Sequence, residues 1–174
     1  GACFNALRTL GRLKGVDRAP LAPIIPTKTG RCVLVDSGAN VDCRPEFLLQ
    51  FAVMGSVYAE HALKKTNPRV GLISNGEEGG KGNQLTKETY PLLEASGLNF
   101  IGNLEGKELF GGMADVAVCD GFTGNVLLKS SEAVGKLLTN TLKEELMSSF
   151  ITKIGAALAR PAFAKIRKML DPDE

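Results

Sequence analysis

Four short apolar runs, each set off by a stretch with helical periodicity, constrain this chain more than any other feature. They are Cys32-Val33-Leu34-Val35, Val70-Gly71-Leu72-Ile73, Leu98-Asn99-Phe100-Ile101 and Val116-Ala117-Val118-Cys119. Continuous runs of this length are the pattern of strands buried on both faces. Between them, Glu46 to Lys65 places Phe47, Phe51, Met54, Val57, Tyr58 and Ala62 at helical spacing, with Pro45 as a good first helical residue. Thr86 to Ala95 predicts a second helix with Thr86 and Thr89 as N-terminal hydroxyls, and Phe122 to Phe150 holds a third, very long one. Strand alternating with helix predicts βαβ units and a mostly parallel sheet, an α/β fold. Ahead of this pattern, Ala2 to Leu13 has helical spacing and Gly15 ends it. Pro20 to Pro26 fits an edge strand or an extended connector, and Thr27 to Gly30 a turn.

Length and composition narrow the classes. The 174 residues suit one domain, or one with an appended subdomain. An apolar fraction of 44% and a charged fraction of 23% exclude disordered, collagenous and coiled-coil chains. No apolar run is long enough to span a bilayer. A net charge of +2, no Trp and only 2 Tyr argue against nucleic-acid binding. The cysteines form no Cys-x-x-Cys pair and only one His is present, so no metal site is expected. Cys3, Cys32 and Cys119 sit in apolar runs and read as small buried hydrophobes in a reduced, cytosolic compartment. The chain opens at Gly1, inside a helical pattern and without Met, which reads as a piece of a longer protein.

In an open parallel sheet, ligands bind beyond the carboxyl ends of the strands. The loops to examine are therefore Asp36 to Asp42, Ser74 to Asn83, Gly102 to Glu105 and Asp120 to Asn125. All four mix Gly with Asn and a carboxylate. The second is the most distinctive, with four glycines around Lys81, a composition suited to phosphate or another oxyanion. It is neither a Walker A loop nor a dinucleotide fingerprint, because Lys81 is followed by Gly82 and Asn83. A solvated Gly-rich turn has the same composition. Asp36 and Asp120 equally suit caps of the turns that follow them, and Asn40 and Asn125 suit left-handed turn positions. His61, mid-helix, is expected to be a partly exposed helix residue, and with no His near the loops acyl-enzyme catalysis is poorly supported.

The tail carries a separate signal. Val134, Leu138, Leu142, Leu146, Phe150 and Ile154 recur every four residues, and Pro161 is expected to break the helix. No acidic residue lies between Leu146 and Leu170, whereas Lys153, Arg160, Lys165, Arg167 and Lys168 do. Phe150, Ile151, Ile154 and Leu158 are the candidate membrane-contact residues at the tip of a helical hairpin. Packing against a twin in a dimer is the other reading, and both are compatible. The chain thus divides into an α/β core over 1–125 and a long helix with a basic amphipathic hairpin over 126–174.

Taken in order, Asp36-Ser37-Gly38-Ala39-Asn40-Val41-Asp42-Cys43, Gln50-Phe51-Ala52-Val53-Met54-Gly55-Ser56, Glu77 to Asn83, Phe100-Ile101-Gly102-Asn103-Leu104-Glu105-Gly106 and Cys119-Asp120-Gly121-Phe122-Thr123-Gly124-Asn125-Val126 closely resemble the PlsX family of bacterial phosphate acyltransferases. The likeness runs from Gly1 to about Leu170. It implies a three-layer α/β/α fold akin to phosphate acetyltransferases and isopropylmalate-type dehydrogenases, and a homodimer. It implies transfer of a fatty acyl group from acyl carrier protein to inorganic phosphate, with no cofactor. The acyl phosphate product would feed a glycerol-3-phosphate acyltransferase at an anionic membrane, which the protein would contact peripherally. The family's Asp-Ala-Met-Gly-Gly-Asp opening, its Ser-Ala-Gly-Asn-Thr-Gly loop and its Gly-rich C-terminal segment are absent from this chain.

On that resemblance, Lys81 neutralises phosphate or the oxyanion and Asn125 donates to the carbonyl oxygen or phosphate, as the catalytic pair. Asn40, Asp42, Asn75, Glu77, Gly82, Asn83, Asp120, Gly121, Thr123 and Gly124 form the substrate-binding set. Arg8, Arg12, Lys14, Arg18, Lys64 and Lys65 are candidate docking charges for the acidic carrier protein. Two alternatives stand beside this reading. One is a nicotinamide-dependent dehydrogenase whose divalent metal Asp36, Asp42 and Asp120 would hold. The other is a non-catalytic membrane-docking fragment.

Overall fold

A computed structural model describes Thr9, Gly11 and residues 14–170. The helix expected over Ala2–Leu13, the burial expected of Cys3 and the charges of Arg8 and Arg12 fall outside the described residues, apart from Thr9 and Gly11. The strands are β1 (Ile24–Thr27), β2 (Gly30–Val35), β3 (Val70–Ile73), β4 (Phe100–Leu104) and β5 (Val116–Val118). The helices are α1 (Pro45–Ala62), α2 (Gln84–Glu94), α3 (Gly106–Gly111), α4 (Gly121–Met147) and α5 (Phe150–Leu170). Contacts divide the chain into two compact units, Gly1–Gly124 and Asn125–Glu174.

The first unit holds one sheet in the order β1-β2-β5-β3-β4. β1 is antiparallel to β2, with Ile25 opposite Cys32, and takes the edge position that suits its Pro26. The other pairings are parallel: Val35 opposite Val118, Leu72 opposite Val118 and Ile73 opposite Leu104. The carboxyl ends of β2, β5, β3 and β4 therefore meet at one rim of the sheet. The apolar runs are buried as their composition demands: Cys32, Val33, Leu34, Val35, Val70, Leu72, Val116, Ala117 and Val118 are all 0% exposed. α1 lays Phe47, Leu48, Phe51, Ala52 and Ala59 into the same core as Val33, Val35, Val70, Leu72, Val116 and Val118. Burying each large side chain there contributes about 1.5–3 kcal/mol.

Several boundaries differ from expectation. β4 begins at Phe100 and continues through Gly102 and Asn103 to Leu104, so three residues expected in the following loop belong to the strand. A register shift in β3–β4 pairing and a positive φ of 96° at Gly102 carry the strand past the irregularity. α2 starts at Gln84, because the Asn83 side chain accepts from the Thr86 backbone N–H; the cap is Asn83 and not the threonine hydroxyls. α1 ends at Ala62, and Lys64 turns into the left-handed region. α4 ends at Met147, and Phe150 opens α5 after a Ser148–Ser149 link. The short α3 has no counterpart in the sequence reading; Glu105 and Glu108 build its capping box.

In the second unit, Pro161 lies within α5 and does not break it. Proline removes one N–H bond and frees the carbonyl four residues earlier, that of Ala157. Ala157 and Pro161 are exposed, so the freed carbonyl lies on a stretch open to solvent and not in a core. No described helix is long and apolar enough to cross a membrane.

One polar cluster anchors the opposite rim of the sheet. Asp115, just before β5, accepts from Arg69 Nε at 2.9 Å and the Arg69 backbone N–H at 3.0 Å, and pairs with Lys65 Nζ at 3.2 Å. Burial pushes its carboxyl up, but the hydrogen bonds from Arg69 and Lys65 outweigh that and bring its pKa from 3.8 down to about 2. A depressed carboxylate contributes stability that is complete above its ordinary pKa and is lost as pH falls through the folded value, here toward 2. Asp115→Asn is therefore expected to lower the urea midpoint at about pH 6 and to have little effect near pH 2. Equal losses at both values would assign the cluster no acid-linked stability.

Candidate functional site

Asp36 closes β2 and organises the first loop. It is 0% exposed. Its Oδ1 accepts from the backbone N–H groups of Leu21, Gly38 and Ala39, at 2.8, 3.1 and 3.1 Å. Its Oδ2 accepts from the Asn40 backbone N–H at 2.7 Å and from Asn40 Nδ2 at 2.9 Å. Asn40 also donates through Nδ2 to the Ala19 carbonyl at 3.1 Å. Both amide hydrogens of Asn40 are thus spent on the loop itself. Asp42 is exposed.

The fourth loop is built the same way. Asp120 caps α4: its Oδ1 accepts from the Thr123 backbone N–H at 2.8 Å, and its Oδ2 from Thr123 Oγ1 at 2.9 Å. The Gly121 N–H donates to the Asn40 carbonyl at 2.7 Å, which joins the first and fourth loops. Gly124 packs directly on the Asp36 carbonyl, where a β-carbon would overlap it. Asp36 and Asp120 therefore behave as loop-organising carboxylates. Asn125 is exposed and is the first residue of the second unit.

The second loop, Ser74 to Asn83, carries two adjoining cavities. One, of about 390 Å³, is lined by Asn75, Gly76, Glu77, Glu78, Lys81 and Glu105. The other, of about 370 Å³, is lined by Ile73, Ser74, Asn75, Gly82, Asn83, Thr86 and Thr123. Asn75 borders both, and its Oδ1 accepts from the Gly82 N–H at 2.8 Å. Gly82 has a φ of 101°, and a β-carbon there would stand 2.6 Å from Thr86 Cβ, so this turn is restricted to glycine. Lys81 lays its aliphatic stem against Gly76 and makes no ion pair among the described residues.

Glu77 is held by Lys107, with Nζ 2.9 Å from its Oε1. The same ammonium lies 3.6 Å from Glu105 Oε2 and 3.2 Å from Glu108 Oε1. These three carboxylates have oxygens within 4.8 Å of one another, a spacing that also suits a cation, and the Lys107 ammonium sits among them. Hydrogen bonding to Glu77, then to Glu108, holds the Lys107 pKa above its ordinary range. Sequence reading missed Lys107; the Glu105-x-x-Glu108 capping spacing around it is the signal that was available. It also missed Asn103, whose Nδ2 donates to the Glu78 carbonyl at 2.7 Å and ties the second loop to β4.

The structure thus brings Asn75, Glu77 and Lys81 to one cavity, and Asn75, Gly82, Asn83 and Thr123 to its neighbour. Among the candidate docking charges, Lys65 is engaged with Asp115, while Arg18 sits over the Phe47 ring at 5.7 Å and Lys64 is exposed. On α5, Phe150, Ile151 and Leu158 are 78%, 80% and 79% exposed, and Ile154 is 48% exposed. Burial pushes the Cys32 thiol up to about 12 and, with Asp120, the Cys43 thiol up to about 11, so neither is poised as a thiolate nucleophile.

Comparison with known proteins supplies the context. The family described as "Fatty acid synthesis protein" matches residues 2–174. A phosphate acyltransferase of Pelotomaculum thermopropionicum is 52% identical over 170 residues, 98% of this chain and 50% of that protein. One from Acidobacterium capsulatum is 52% identical over 173 residues, 99% of this chain and 51% of that protein. Another, from Aquifex aeolicus, is 51% identical over 162 residues, 93% of this chain and 48% of that protein. The chain spans about half the length of these curated relatives. Among solved structures, the EutD phosphotransacetylase from Staphylococcus aureus shares the fold, with a TM-score of 0.58 at 19% identity, over 75% of this chain and 46% of that one.

Proposed function

The chain belongs to the fatty acid synthesis protein family, and on that premise we propose that the protein transfers a fatty acyl group from acyl carrier protein to inorganic phosphate. The observation that carries this reading is the paired cavity of the second loop. It offers amides, hydroxyls, glycine backbone and Lys81, which makes no ion pair among the described residues, beside Glu77, Glu78 and Glu105, and neither lining includes a histidine or a cysteine. Phosphate is anionic near neutral pH and needs positioning more than deprotonation. One of its oxygens attacks the thioester carbonyl carbon, forming a C–O bond as the carbonyl electron pair moves onto oxygen. Collapse of that oxyanion breaks the C–S bond, and the carrier thiolate leaves and takes up a proton. Donors fixed in advance stabilise the oxyanion. Lys81 and Asn125 are the groups assigned to it, with Asn75, Gly82, Asn83 and Thr123 around the phosphate. Asp36, Asp120 and Asn40 hold the loops in shape.

The test is direct. The whole protein, given acyl carrier protein thioester and inorganic phosphate, should release carrier thiol in step with a hydroxylamine-sensitive acyl phosphate. Thiol release without phosphate dependence would indicate hydrolysis and end this reading.

The helical unit adds a second element to the proposal. The exposed apolar residues of α5 and its five bases, with no acidic residue, support peripheral contact with an anionic membrane, next to the enzyme that consumes the acyl phosphate. The apolar face of α4, where Leu137 and Leu138 are 64% and 65% exposed, supports pairing with a second copy. Phe150→Glu with Ile154→Glu is expected to abolish co-sedimentation with anionic vesicles and to leave acyl transfer in solution unchanged. Unaltered sedimentation would move the membrane contact elsewhere.

A further inference from the structure

Ser74 follows β3 directly and lines the cavity that Asn75, Gly82, Asn83, Thr86 and Thr123 complete. Several polar side-chain oxygens around it are committed. Asn75 Oδ1 accepts from Gly82, Asn83 Oδ1 accepts from the Thr86 N–H and from Thr86 Oγ1, and Thr123 Oγ1 donates to Asp120. Ser74 Oγ differs from them: it is buried and has no hydrogen-bond partner among the described residues. It lies under the Gly82 turn, close enough that a β-carbon at Gly82 would come within 3.1 Å of it.

A buried hydroxyl without a partner is destabilising, and the cost is relieved when a ligand supplies an acceptor. A seryl χ1 has three staggered wells, so a single rotation redirects the O–H. The lining of the cavity is neutral and does not itself repel an anion. None of its lining residues is a carboxylate, whereas Glu77, Glu78 and Glu105 border the neighbouring one. The N-terminus of α2, an 11-residue helix, opens beside Asn83 and favours negative charge.

We propose that Ser74 is a phosphate-binding residue, whose hydroxyl turns into this neutral cavity and donates to an oxygen of the bound phosphate. The proposal rests on the phosphate acyltransfer reading and refines it: the nucleophile sits on the Ser74–Gly82–Thr123 side of Asn75, with Lys81 lining the adjoining cavity.

The experiment is a titration of inorganic phosphate against the whole protein, wild type and Ser74→Ala, read by thermal shift and by the KM for phosphate. The expected result is a Ser74→Ala protein as stable as wild type or more so without phosphate, with affinity for phosphate about tenfold weaker. At saturating phosphate, its kcat should stay close to wild type. A Ser74→Ala protein that melts earlier yet binds phosphate like wild type overturns the proposal, since the hydroxyl would then be structural. If wild type itself shows no phosphate dependence in either readout, the phosphate site falls, and this role with it.

Discussion

Replacing Lys81 with Ala in the whole protein is expected to lower kcat for acyl transfer by about 100-fold, or about 2.7 kcal/mol, the scale of removing one preorganised oxyanion donor. The expectation rests on charge accounting around the second loop. Four acidic side chains, Glu77, Glu78, Glu105 and Glu108, lie on or beside it, and a lysine in such company would ordinarily be paired. Lys107 takes up three of them, at 2.9, 3.6 and 3.2 Å. Lys81 is left lining the cavity with its stem against Gly76 and without an ion pair among the described residues. A cation in this position interacts more strongly with an incoming dianion than one already neutralised.

The kinetic signature separates the possible roles. If Lys81 holds phosphate equally in the ground state and the transition state, the KM for phosphate rises and kcat is untouched. If it meets the oxyanion, kcat falls. Lys81→Arg keeps the charge but changes its shape, and should recover part of the loss. Lys107→Ala is the informative companion, because it frees Glu77 to pair with Lys81. Its expected effect is a weaker version of Lys81→Ala. Turnover near wild type in Lys81→Ala removes the residue from the mechanism.

The fold was legible where burial dominates. Val33, Val35, Val70, Leu72, Val116 and Val118 are fully buried, so their strands had to be continuous apolar runs, and they were found within a residue or two. β4 was displaced because Ile101 is 37% exposed and Gly102 and Asn103 break the apolar run, while backbone pairing with Leu72 and Ile73 continues regardless. Pro161 misled for a related reason: sequence reading counted the lost hydrogen bond, but exposure lets water replace it. At the candidate site, residue types singled out loops that the parallel strands bring to one rim, and could not say which polar atoms were already spent. Asn40 and Asn83 are both asparagines ahead of helices. Asn40 turns both amide hydrogens inward to Asp36 and Ala19, whereas Asn83 uses its oxygen as a cap. That distinction depends on the path of the backbone between Asp36 and Gly124, which no local pattern encodes.

The same path makes Gly124→Ala a strongly damaging single methyl. The added β-carbon would overlap the Asp36 carbonyl oxygen and stand 2.9 Å from Cys119 Sγ. The nearest of these neighbours is backbone, and Cys119 is buried with little room to turn its thiol aside. The Asp36 N–H donates to the Cys119 carbonyl at 3.0 Å, the Cys119 N–H to the Val35 carbonyl at 2.7 Å, and the Gly121 N–H to the Asn40 carbonyl at 2.7 Å. Relief requires the start of α4 to withdraw from the end of β2, which strains those bonds together. Ala is the better helix former by about 1 kcal/mol, and overpacking of a rigid contact costs about 1–3 kcal/mol or more. The clash wins because the atom met first is the Asp36 backbone carbonyl, which cannot turn aside as a side chain can. The expected melting temperature falls by about 5–10 °C, and phosphate-dependent turnover falls with it, since Asp120, Gly121 and Thr123 move as α4 moves. Gly80→Ala is the control: a β-carbon there meets nothing within 4 Å, so its melting temperature should match wild type. A Gly124→Ala protein that melts with the control would mean that α4 and β2 are free to separate, and that the loops at this rim do not form a fixed site.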